Sequence, residues 1–224
     1  EGDVQNAVDT MRFLAIMPEA KGDLTFRWPY ATGTSAARME EEFVFFDDML
    51  ACVSQRFNTN PSCVSSVGVS AGALFTDQLA GGRGEYLASF LSLSGGTGGS
   101  FIEPWTSSPH KMPAMVLWGG PSDICVILNF ETVSHDLETN LIADGHFFLE
   151  CVHNCGHGAP PFDVPPGTTA FWPMWRFVFD HPYWLPDGAS PYLGGGIPAG
   201  MPSWCGIGTS SAVPRTGACL PPSC

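Results

Sequence analysis

An α/β architecture, in which a mostly parallel sheet is covered by helices on both faces, is what this sequence predicts. Two observations predict it. Short apolar runs of strand type alternate with segments of helical periodicity from about residue 4 to residue 180. Two of those runs also end in paired glycines, Gly95-Gly96 and Gly119-Gly120, where a chain leaving a buried strand must turn. Size and composition agree: 224 residues with 44% apolar and only 14% charged side chains make a chain that can bury roughly 70% of its unfolded surface. Disorder is excluded on the same grounds.

In chain order, Val4, Ala7, Val8 and Met11 recur at helical spacing, with Asp3 placed to cap them. Phe13 to Met17 is wholly apolar and stops at Pro18, which predicts a buried parallel strand. Residues 19–35 are loop-like. From Ala36 to Phe57 an apolar stripe of Met39, Phe43, Phe46, Leu50, Val53 and Phe57 opposes Glu40, Glu41, Asp47 and Asp48, so a long amphipathic helix is expected, ended by Asn58–Pro61. Val64 to Val69 is a short β-rich run, followed by a helix-like stretch holding Leu74, Phe75 and Leu79. Further strands are expected at Phe90 to Leu93, Ala114 to Trp118 and Phe147 to Val152. Phe130, Val133, Leu137 and Leu141 predict another helix, closed near Gly145. Pro173 suits the first turn of a last helix carrying Trp175, Phe177, Val178 and Phe179. After His181 the composition turns to Pro, Gly, Ser and Cys. Residues 1–181 therefore read as one domain and 182–224 as an irregular tail.

A net charge of −13 repels nucleic acid and anionic lipid, and no apolar run approaches the ~18 residues that a membrane span needs. Neither partner is expected. The acidity suits a neutral, cationic or solid substrate. The eight cysteines contain no CxxC pair and no zinc-finger spacing with histidine, so they read as disulfides formed in an oxidising compartment, extracellular or periplasmic. With Glu1 first, and neither a methionine nor a signal sequence, the chain reads as a processed or partial form.

Chemistry concentrates in Gly68-Val69-Ser70-Ala71-Gly72, a G-x-S-x-G motif lying between a strand-like and a helix-like run. Acyl transfer needs a hydroxyl exposed on a sharp strand-to-helix turn, and small neighbours let that turn close. The amides at the start of the next helix, Ala71 N–H first, would bind the oxyanion of a tetrahedral intermediate. A serine nucleophile needs a base. Of six histidines, His157 in Asn154-Cys155-Gly156-His157-Gly158 is the best placed, in a glycine-flanked loop after a strand, with His153 as the rival. Asp123, in the loop after Trp118, is the candidate acid that orients the base. Asp136 and Asp144, in and at the end of a helix, are weaker candidates. The order Ser, Asp, His along the chain is the order of the α/β-hydrolase fold.

Trp105 and Trp118 sit at strand ends, where sites in such sheets form, and are candidate substrate-binding aromatics. Trp172 and Trp175, at helical spacing, read as core. Cys52 and Cys63, at the end of the long helix and the start of the motif strand, would close a short loop as a disulfide. Cys125 and Cys155, each two residues from a candidate site residue, would tie acid to base. Cys151 is the rival partner, and one of Cys151 or Cys155 could instead reach the tail, because three cysteines lie in each region. No metal and no organic cofactor is expected.

Four segments resemble the secreted esterase group that holds feruloyl esterases, acetylxylan esterases and polyhydroxyalkanoate depolymerases. They are FLAIMPEA, EEFVFFDDMLACVSQRFNTNPSCVSSVGVSAGALFTDQLA, AMVLWGGPSD and CVHNCGHGAPP, and the similarity covers about residues 4–180. The resemblance implies an α/β-hydrolase, either whole or without its earliest strands, with Ser70, Asp123 and His157 as triad and an ester or polyester as substrate. It also implies a second oxyanion amide from an early His-Gly strand end. This chain starts just beyond that point, at Glu1-Gly2. Trp118 stands where relatives often carry histidine. A non-catalytic polymer-binding module and a serine peptidase of the same fold are the alternative readings.

Overall fold

The computed structural model describes residues 3–220 and Cys224. Helix α1 (Val4–Met11) is followed by an irregular segment and the long helix α2 (Ala36–Phe57). The Ser35 hydroxyl caps α2 by accepting from Arg38 N–H, and Asn58 ends it in the left-handed region. Strand β1 (Val64–Val69) turns directly into α3 (Ala71–Gly82). Strands β2 (Leu87–Leu93) and β3 (Ala114–Trp118) come next, then a two-stranded hairpin of β4 (Ile124–Cys125) and β5 (Leu128–Asn129). Helix α4 (Phe130–Asp144) leads to β6 (Phe148–Val152), α5 (Trp172–Asp180), α6 (Pro191–Gly195) and β7 (Cys205–Ile207).

The main sheet has the order β1-β2-β3-β6-β7. Its first four strands are parallel, and β7 is antiparallel to β6. Strands β2 and β3 are buried along their whole length, which is why they read as unbroken apolar runs rather than alternating ones. On one face Leu91, Leu93, Met115, Leu117 and Leu149 pack against Met174 and Phe177 of α5. On the other, Phe90, Val116, Trp118 and Phe148 pack against Ala80 of α3 and Leu137 and Leu141 of α4. The register aligns Val69 with Leu93 and Leu93 with Leu117, so the carboxyl ends of the strands form one row. Sites of open α/β sheets lie along that row.

Three expectations are corrected. Phe13 to Met17 is not a strand: Leu14 and Met17 are 50% and 70% exposed, and the run's anchor, Phe13, packs on Trp175 and Phe179 instead. Without a ladder partner an extended apolar run gains nothing from strand geometry, and β1 ends the sheet with Val67 and Val69 exposed. Cys52 and Cys63 are not paired; both are exposed free thiols. The left-handed Asn58 and the turn in which Cys63 N–H reaches Asn60 O send the chain off on a new heading after α2, so the sulfurs do not meet. Nor do Cys125 and Cys155 pair with each other. They pair with Cys224 and Cys219, and Cys151 pairs with Cys205, its partner across β6 and β7. Each cysteine of 125–155 thus reaches one beyond residue 200. The segment after His181, though largely irregular, contributes α6 and β7 and is disulfide-pinned as expected.

No helix among the described residues is long and apolar enough to cross a membrane.

Candidate active site

Ser70 is held where β1 turns into α3, with φ 55° and ψ −124°, a region a non-glycine residue occupies only when its surroundings force it. The force is visible in the neighbours. Ser70 N–H donates to Leu93 O across the sheet at 2.9 Å, while Ser70 O accepts from Ala73 N–H and Leu74 N–H in the first turn of α3. A Cβ on Gly68 would lie 2.2 Å from Gly72 O, so that glycine is what allows the sharp turn. A Cβ on Gly72 would meet nothing within 4 Å. The helix is tied to the sheet from behind by Asp77. Its Oδ2 accepts from Ser92 Oγ at 2.9 Å and Gly96 N–H at 2.7 Å, and complete burial pushes its carboxyl up to about 8.

The Ser70 hydroxyl remains partly open to solvent, and its Oγ lies 2.9 Å from His157 Nε2. His157 Nδ1 lies 2.7 Å from Asp123 Oδ1. The opposite carboxylate oxygen, Asp123 Oδ2, accepts from Ser94 Oγ and from Gly119 N–H, both at 2.8 Å. Asp123 is fully buried, so these three bonds replace its hydration. Phe130, the first residue of α4, stacks on the His157 ring with centroids 4.5 Å apart and fixes its plane.

The loops that carry Asp123 and His157 also touch through backbone. A Cβ on Gly119 would lie 1.9 Å from Gly156 O, and Gly156 N–H donates to Gly119 O at 3.2 Å. Cys125 and Cys155, one in each loop, are joined to Cys224 and Cys219, which are close in sequence. The two loops are thus linked through the chain end, where a direct bridge was expected.

Ser70, Asp123 and His157 therefore join in one hydrogen-bonded chain; His153 lines the same cleft without entering that chain, and Asp144 is bonded elsewhere. His153 is buried, its Nδ1 accepts from Cys155 N–H, and burial lowers it to about 4, which keeps it neutral. Asp144 accepts from the Trp105 indole N–H at 2.7 Å, away from Ser70. Ala71 is the first residue of α3, where backbone N–H groups have no acceptor inside the helix. The second oxyanion amide was expected either to be missing or to come from residues near Gly2, and Glu1 and Gly2 lie outside the described residues.

The two tryptophans do not line the site. Trp118 is 1% exposed in the core against Leu137 and Leu141, because the last residue of β3 points toward α4. Trp105 stacks on Phe90 and meets His146 edge-on beneath the same helix. The cleft at Ser70, of about 330 Å³, is lined instead by Val69, Leu93, Leu117, Phe162, Phe171 and Met174, with the Cys125–Cys224 disulfide at its rim. Sequence reasoning missed Ser94 and Asp77. Ser94 had a readable signal: it follows β2 just as Ser70 follows β1, at the aligned ends of neighbouring strands.

A serine hydroxyl donating to an imidazole, itself held by a buried carboxylate at the carboxyl end of a parallel sheet, is an arrangement that can carry out acyl transfer. The fold is of the α/β-hydrolase type. No family model matches the chain, and no curated protein does. Solved structures do match. A cysteine-for-serine variant of pOPH in complex with DMSO has a TM-score of 0.57 at 16% identity, covering 77% of this chain and 61% of that one. Native sOPH gives 0.57 at 16% identity over 78% and 63%. An alanine-for-serine variant of pOPH in complex with pNPB gives 0.56 at 16% identity over 75% and 59%. The chain thus spans about three fifths of the length of these structures.

Proposed function

We propose that this protein is a serine carboxylic ester hydrolase acting through an acyl-enzyme. One observation carries the reading: the continuous relay from Ser70 Oγ through His157 to Asp123, with links of 2.9 and 2.7 Å. In this reading His157 Nε2 takes the Ser70 proton as Oγ attacks the ester carbonyl, and Asp123 holds the Nδ1–H tautomer and stabilises the imidazolium. Ala71 N–H binds the oxyanion. His157 returns the proton to the departing alcohol, and water then repeats the sequence to release the acid. The largely apolar cleft suits a short acyl or aryl group, or one repeat of a polyester, with no lysine, arginine, aspartate or glutamate among its described lining residues to favour an ionic substrate. The pNPB complex of a structural neighbour supports ester chemistry. The resemblance to feruloyl, acetylxylan and polyhydroxyalkanoate esterases supports that substrate range. Three disulfides among the described residues support work in an oxidising compartment, outside the cell or in the periplasm.

Turnover of p-nitrophenyl acetate and butyrate by the parent and by Ser70→Ala tests the proposal. Loss of at least about 10³-fold in kcat supports it; equal turnover in the two proteins refutes it. A panel of feruloyl, acetyl and hydroxyalkanoate esters then selects the substrate class.

A further inference from the structure

Away from Ser70, under the middle of α4, three ligand-bearing side chains converge. His135 and Glu138 are three residues apart on one helix face, and Glu150 rises toward them from β6. One ligand atom from each lies within 4.8 Å of the other two, and His135 Nδ1 is 3.0 Å from Glu138 Oε2. Both carboxylates are buried: Glu138 is 0% and Glu150 1% exposed. Glu150 is fixed by two backbone donors, Ser210 N–H to Oε1 and Ala212 N–H to Oε2, each at 2.8 Å. Glu138 Oε1 is buried and has no hydrogen-bond partner. Among the described residues no lysine or arginine pairs with either glutamate.

Two facing carboxylates out of water, with one oxygen unsatisfied, are relieved either by a proton shared between them, toward which burial and the facing Glu150 push the Glu138 carboxyl, or by a cation. His135 is the wall open to solvent, its side chain 44% exposed, so an ion has a way in. Trp118 meets the His135 ring edge-on with centroids 5.0 Å apart and holds its orientation. The donor set is one imidazole and two carboxylates without sulfur, which suits zinc and its divalent neighbours better than calcium or a thiophilic ion, with water completing the shell on the open side.

We propose that His135, Glu138 and Glu150 bind one divalent cation of the zinc type, forming a structural site that fastens α4 to β6 and to the 208–212 turn. The site is separate from the Ser70 relay and independent of the proposed esterase chemistry. The test uses the full chain, stripped with a chelator, with Cys52 and Cys63 alkylated so that their thiols cannot compete. Zn²⁺ binding is followed by calorimetry and thermal unfolding, and Co²⁺ binding by its visible absorption. One ion per chain is expected, with unfolding raised by roughly 5–10 °C at a free ion concentration one hundred times Kd. Glu138→Gln and His135→Ala should each weaken binding by at least about tenfold, while Ser70→Ala should bind as tightly as the parent. The absence of saturable one-to-one binding overturns the site, as does an affinity equal to the parent's in both ligand variants. The half-exposed position of His135 makes His135→Ala informative even if Glu138→Gln folds poorly.

Discussion

Replacing Asp123 by asparagine tests the relay through a single proton. In the native arrangement Oδ2 accepts two donors, Ser94 Oγ and Gly119 N–H, while Oδ1 faces His157 Nδ1. An asparagine amide has one oxygen and one NH₂ group. Its oxygen is fixed in the Oδ2 position, because the amino group there would confront the Gly119 N–H, which cannot turn away. The NH₂ group must then face His157 Nδ1 and donate to it. That forces the imidazole proton onto Nε2, so the ring presents a donor to Ser70 Oγ where it should present an acceptor. The side chain keeps its shape and its burial, and the loss is one of tautomer. In serine hydrolases such a change costs about 10⁴ in kcat, equivalent to ~5 kcal/mol of barrier at 1.36 kcal/mol per tenfold. The assay is p-nitrophenyl butyrate turnover near neutral pH, with thermal unfolding run in parallel. The expected result is a fall of about 10⁴ with little change in stability. Activity within about tenfold of the parent, in a folded Asp123→Asn protein, would refute the reasoning.

Other predictions rest on separate parts of the fold. Burial raises the Asp77 carboxyl to about 8 from 3.8. Its neutral form is therefore favoured by folding, and stability is full below the unfolded value and declines as pH rises toward the folded one. The slope is at most about 1.4 kcal/mol per pH unit. Asp77→Asn cannot ionise and should flatten this decline; unfolding curves of the two proteins that run parallel from about pH 5 to 8 would sink the idea. Gly68→Ala should destabilise by at least about 2 kcal/mol, because the new Cβ meets Gly72 O at 2.2 Å. Gly72→Ala should leave the unfolding temperature equal or higher, since its Cβ meets nothing. Comparable damage from both substitutions would contradict the turn geometry. The double variant Cys219→Ser, Cys224→Ser frees the link between acid and base loops. It should lower stability by about 2–4 kcal/mol and reduce kcat, and unchanged kinetics would show that the link is not needed to position His157.

The strands and helices that frame the site were legible because burial on both faces and helical periodicity leave strong marks. Ala114–Trp118 and Ala36–Phe57 have the expected bounds to the residue. The meeting of Ser70, Asp123 and His157 was legible for a related reason: each follows a strand, and parallel strands bring their ends into one row. Phe13 to Met17 was misread because an apolar run shows an affinity for a core without showing whether a ladder partner exists. Trp118 was misread because a strand end carries two opposed faces, and its side chain takes the one under α4. The disulfide pairs depend on how the segment after His181 folds back beside β6, which spacing along the chain does not encode. Asp77 acts only through Ser92 and Gly96, distant in sequence, so nothing local distinguishes it from an ordinary helix aspartate, whereas Ser94 was marked by its place at the end of β2 beside the end of β1.

The most direct measurement is covalent capture of the nucleophile. The full chain is incubated with a fluorophosphonate probe, digested and sequenced by mass spectrometry. A single adduct is expected at Ser70, formed rapidly by the parent and lost from proteins carrying Asp123→Asn or His157→Ala. An intact parent that stays unlabelled, or that carries its adduct on another serine, would contradict the account.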